Sequence, residues 1–169
     1  MLKAYNAYAK FIDILCKVLD FICITLMLAM VAVVFYQVIM RQIFDNAPAW
    51  SEEVSLIMKA WFVYLGVAIG LKEDLHIGIT MLVSRLPKKI MFAVELVVSA
   101  LILFLSGLFF HYGYSLANFV RANSLPATGT SVSVFYFAIA TAGVLMILIG
   151  LLRIAKQIVN RKEILSDDH

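Results

Sequence analysis

Four long apolar stretches constrain this chain before anything else does. Phe21 to Met40, Leu96 to Val120 and Ala122 to Leu152 carry no charged residue, and Val54 to Leu71 carries only Lys59. A helix needs about 20 residues to cross the hydrocarbon core of a bilayer, so each stretch is long enough. Inside lipid every backbone N–H and C=O must find a partner within the protein, and uninterrupted apolar runs of this length do so as α-helices. With 63% of its 169 residues hydrophobic and only 15% charged, the chain has the balance of a membrane-embedded protein. The expected fold is therefore all-α: four transmembrane helices across residues 21–152, an N-terminal amphipathic interfacial helix at 1–20 and a cytoplasmic tail at 153–169.

The N-terminal segment has its own pattern. Lys3, Asn6, Lys10, Asp13, Lys17 and Asp20 recur at steps of three and four, which draws one polar stripe along an apolar helix and spaces opposite charges to pair within it. Such a helix suits the membrane interface, and the same surface could dock a partner. The apolar run after Asp20 is too long for a secretory signal and has no small-residue cleavage pattern before Arg41, so it reads as a retained helix with the mature chain starting at Met1. Cys16 and Cys23 lie two helical turns apart, about 10 Å, which is too far for a disulfide; buried thiols are expected.

Basic residues set the expected orientation. Lys3, Lys10 and Lys17 precede the first span, Lys72, Arg85, Lys88 and Lys89 fall in the second connection, and Arg153, Lys156, Arg161 and Lys162 follow the fourth. The opposite side holds only Arg41 and Arg121. The excess of lysine and arginine on cytoplasmic segments then places both termini and the second connection in the cytoplasm. The net charge of +3 reflects this topology, and no nucleic-acid partner is expected. The polar run ANSLPATGTSVS, with Pro126 and Gly129, marks a non-helical outer loop, so the last helix should start near Ser131 to Ser133. SRLPKK punctuates the cytoplasmic connection in the same way.

Lys59 is the anomaly. It lies about 13 Å below Trp50, near mid-bilayer, where an isolated charge costs ~3 kcal/mol on insertion scales. Projected at 100° per residue, Glu52, Ser55, Lys59, Val63, Gly66 and Gly70 share one stripe, including the small-xxx-small step GVAIG. On the third span Glu95, Ser99, Ser106 and Gly113 form another. Three readings follow. The second and third helices pack together with Lys59 reaching toward Glu95; or Lys59 with Glu52 or Glu95 binds an ion or proton, as in a small antiporter; or the stripe faces a larger membrane partner. At the outer mouth of the first hairpin, Arg41 can pair with Glu52 or Glu53, with Trp50 as an interfacial anchor. His76, His111 and His169 are dispersed, and no HExxH, CxxC, phosphate-binding loop or activated nucleophile is present, so neither enzyme activity, metal site nor cofactor is expected.

RQIF at the end of the first span, WSEE opening the second, YLGVAIGLKEDLHIGI running out of it, RLP before the third and ANSLPATGTSVSVF before the fourth together resemble the small membrane subunit of tripartite ATP-independent periplasmic (TRAP) transporters, over about residues 20 to 152. Arg41, Trp50, Glu52, Glu53, Gly66, His76 and Pro126 match that pattern. Lys59 departs from it, since an apolar residue is usual there. The resemblance implies a bacterial inner-membrane subunit that braces a large transport subunit, with the sodium and organic-acid sites in that partner and a periplasmic substrate-binding protein delivering the solute. A self-contained four-helix cation- or proton-coupled antiporter is the alternative that the residues alone leave open.

Overall fold

The computed structural model describes the backbone at residues 2–74 and 88–166 and the side chains at 8–72, 94 and 96–154. Among the described residues there are four helices: α1 (Leu2–Phe44), α2 (Ala49–Asp74), α3 (Lys88–Phe119) and α4 (Ser133–Ser166). Each contains a segment long and apolar enough to cross a membrane. The chain is an all-α, multi-pass membrane protein, and α4 starts at Ser133, within the expected interval. Below, the two faces of the bundle are called the Trp50 end and the Lys72 end.

α1 is a single helix of 43 residues. The expected boundary at residue 20 is absent, because nothing from Leu2 to Phe44 interrupts the helix: the stretch contains neither glycine nor proline. It stops at Asp45, whose φ of 47° is the left-handed conformation that ends many helices and that aspartate tolerates better than most residues. Near its start α1 meets α4. Tyr8 donates a hydrogen bond to the carbonyl of Leu148 at 2.8 Å, and Ile12 and Cys16 pack with Ile149. Cys16 and Cys23 are both buried and form no disulfide, as their spacing requires.

The second helix packs on α1 and on α4, and a shared cluster joins Leu19 and Cys23, Leu65, Ala68 and Ile69, and Leu145 and Met146 from the three helices. α3 packs on α4. Among the described residues the expected face between the second and third spans is therefore not formed. Instead α4 is the hub, with 44% of its span buried against 11% for the first.

Small residues explain the closeness of α3 and α4. Ser99, Ser106, Gly113 and Ala117 are buried on α3, and Ala138, Ala140, Ala142 and Gly143 lie along α4. A Cβ at Gly143 would stand 2.5 Å from the Phe110 nitrogen and 2.9 Å from the Ser106 carbonyl oxygen; one at Gly113 would stand 2.7 Å from the Ala140 nitrogen. These are backbone atoms, which cannot swing aside. The stripe expected to face the second helix thus exists and faces the fourth. Ser106 keeps its hydroxyl satisfied by donating to the Ile102 carbonyl at 2.6 Å.

Charges also pair across helices. Asp13, expected to pair within its own stripe, accepts from Lys72 of α2 at 2.6 Å, with the two side chains 58% and 29% exposed. An ion pair this open contributes about 1 kcal/mol or less and chiefly fixes the register of α1 on α2.

Gly143→Ala is expected to destabilise the bundle by about 1–3 kcal/mol, because the added methyl meets backbone. Gly66→Ala, whose Cβ would meet nothing within 4 Å, should be neutral or stabilise by up to about 1 kcal/mol through helix propensity. Thermal unfolding of both variants in detergent separates the two outcomes.

Candidate functional site

The functional candidates fall on two connected surfaces, the rim at the Trp50 end and the outward face of α2. The rim is built by the connection between α3 and α4. Leu125 donates to Thr130, Gly129 to Leu125 and Val132 to Asn123 at 2.8–2.9 Å, and Ser124 bridges Ser131. Gly129 sits at φ +68°, a left-handed turn position where other residues are strained. Pro126 leads into this turn.

Glu53 fastens the turn to α2. Its Oε1 accepts from the Ala127 amide at 2.9 Å, and its Oε2 accepts from the Thr128 amide at 2.8 Å and from the Thr128 hydroxyl at 2.7 Å. Charge-assisted bonds of this kind are the stronger class, and two adjacent amides aimed at one carboxylate fix the loop in place. The expected pairing of Arg41 with a carboxylate at the hairpin mouth is accordingly not seen: Glu53 is committed to the loop, Glu52 is exposed, and Arg41 is exposed in the last turn of α1. Arg41 there complements the negative end of the helix. Trp50 stacks on Tyr36 of α1, ring centroids 6.0 Å apart, and remains 44% exposed. Ala49, Glu52, Leu56, Pro126 and Ala127 line a shallow groove between helix and loop.

Below the groove α2 turns a face away from the bundle. Leu65, Ala68 and Ile69 are buried on one side, while Glu52, Leu56, Lys59, Val63 and Val67 are exposed on the other. Lys59 makes no ion pair among the described residues. Among the described residues the expected close approach at Gly66 and Gly70 does not occur, since neither position has an atom within 4 Å of an added Cβ. Of the remaining candidates, His76 and residues 84–87 of the SRLPKK stretch lie outside the described residues, as does the side chain of Glu95, while Lys88 and Lys89 open α3. Among the described residues α2 and α3 form no packed face of the kind expected for a reach of Lys59 toward Glu95. The partners of Glu53 had no sequence signal beyond the turn residues of PATG, since Glu53 and Thr128 are 75 positions apart.

Comparison with known proteins follows the same outline. Residues 30–160 match the family of tripartite ATP-independent periplasmic transporters, DctQ component. A Haemophilus influenzae protein assigned as a TRAP transporter small permease is 28% identical over 137 residues, covering 80% of this chain and 81% of that protein. The sialic acid TRAP transporter small permease protein SiaQ of Vibrio cholerae is 27% identical over 128 residues, 76% of this chain and 74% of that one. An 89-residue stretch, 53% of this chain, is 28% identical to part of the sialic acid TRAP transporter permease protein SiaT of Haemophilus influenzae, of which it makes up 14%.

Glu53→Ala is expected to release the rim loop while leaving the helices intact. Amide hydrogen exchange at Ala127 and Thr128 should accelerate by about tenfold or more, with Glu52→Ala unchanged at the same amides. Thr128→Val, which keeps both amide bonds, should show a smaller acceleration.

Proposed function

The chain belongs to the DctQ component family of tripartite ATP-independent periplasmic transporters, and we propose from that premise that it is the accessory small permease subunit of a sodium-driven importer of organic acids. In this reading it lies beside a large membrane subunit, which holds the solute and sodium sites, and enlarges the fixed scaffold against which that subunit's mobile part moves. A periplasmic binding protein delivers the solute. The Trp50 end faces the periplasm and both termini face the cytoplasm, in keeping with the distribution of lysine and arginine.

The observation that carries this reading is the likeness to SiaT. A stretch resembling this chain forms a minor part of that longer permease polypeptide, which supports a small bundle working in contact with a large one. The open flanks of the bundle agree. Phe21, Phe35, Val97, Phe104 and Phe119 are more than half exposed on α1 and α3, leaving broad apolar surface for lipid or protein to cover. Relatives named for sialic acid and, in a Vibrio cholerae small permease, for C4-dicarboxylates support an organic acid as the solute class. The loop held by Glu53, with exposed Glu52 and Trp50 beside it, is the surface this reading assigns to docking of the binding protein.

Reconstitution tests the assignment. Sodium-dependent uptake into liposomes should require this chain, the large subunit and the binding protein together, and this chain alone should stay at background. Uptake or exchange by the chain alone would overturn the reading. Glu52→Ala should weaken docking of the binding protein to the assembled membrane complex several-fold.

A further inference from the structure

Building on the reading that this chain works beside a large membrane subunit, we propose that the outward face of α2 seats a transmembrane helix of that subunit, and that this helix carries an acidic side chain to Lys59 at mid-bilayer. Three independent observations converge on it. The first is the lysine. It stands on the exposed side of α2, about 13 Å along the axis from Trp50 and about 20 Å from Lys72. A lysine side chain extends about 6 Å, too short to lift its ammonium to either headgroup layer. Ser55, on the same stripe, donates to the Ser51 carbonyl at 2.7 Å. Glu52 lies two turns away, and no ion pair joins it to Lys59.

The second observation is an unused close-approach surface. Gly113 and Gly143 are filled by backbone from α4 and α3, whereas Gly66 and Gly70 meet nothing within 4 Å among the described residues. One turn apart on the Lys59 face, they offer another helix the short separation that small residues permit in lipid. The third is continuity. The Lys59 face runs upward through Leu56 and Glu52 into the groove beneath Pro126 and Ala127, so one uninterrupted strip joins mid-bilayer to the rim.

Charge selects the occupant. Two copies of this face related by a two-fold axis would bring lysines together in a medium of low dielectric, which disfavours self-association. Lipid tails supply no counter-charge. A helix with an aspartate or glutamate at matching depth satisfies the amine and fixes its own register in one step.

The test uses this chain co-expressed with its large subunit and recovered in mild detergent. K59E should lower recovery of the large subunit about tenfold or more, while K59R should retain most of it. K59M separates docking from folding, because it should leave the isolated chain at least as heat-stable as wild type while still lowering recovery. A photo-crosslinker at Val63 should capture the large subunit, and one at Phe104 on α3 should do so far less. Wild-type recovery of K59E, or crosslinks from Val63 only to lipid or to a second copy of this chain, would overturn the proposal and leave the accessory-subunit reading standing. Failure of the wild-type chain to recover the large subunit would overturn both.

Discussion

The bundle depends on one contact, the approach of α3 to α4 near Gly143, where an added Cβ would stand 2.5 Å from a backbone nitrogen of the neighbouring helix. In a membrane, lipid tails are as apolar as leucine, so burial alone gives two helices little reason to associate. What remains is dispersion between closely matched surfaces, and that grows steeply as the separation falls. Glycine, serine and alanine on both helices bring the backbones together, and α4 becomes the element on which α1 and α2 are placed. The cluster of Leu19, Leu65, Ile69 and Leu145 then fills the other side of α4 with larger side chains.

The sequence was most readable where the signal is local. The four spans follow from apolar length, the loop before α4 from Pro126 and Gly129, and the absence of a disulfide from cysteine spacing. The stripe of Ser99, Ser106 and Gly113 was also visible. Its partner was not, because Glu95 and Lys59 suggested a match to α2, while the glycines at 143 and 150, spaced seven apart on α4, went unused in the projection. The unbroken α1 was within reach, since a stretch from 2 to 44 without glycine or proline has no residue to end it. At the candidate site the residue types could be identified but not their pairing. Proximity in sequence points Arg41 to Glu52 or Glu53, whereas the bonds of Glu53 go to amides 74 and 75 positions on, which no period or spacing encodes.

Small residues occur on two surfaces of this protein with opposite fates. On α3 and α4 they are consumed by the fold; on α2 they are left open beside a charge. For a subunit of a multi-part transporter this division is coherent. The internal seam holds α3 and α4 together, and the outward strip joins small residues to a charge at mid-span.

The loop gripped by Glu53 has a kinetic consequence. Its amides, hydroxyl and turn are already arranged around the carboxylate, so a protein arriving from that side meets a finished shape and little chain ordering accompanies the encounter. Association at such a surface is governed by diffusion and charge, and differences among related arrivals are expressed in how long they stay. In the docking role proposed for it, this loop would offer a component that hands over cargo and leaves the same preformed surface at each visit.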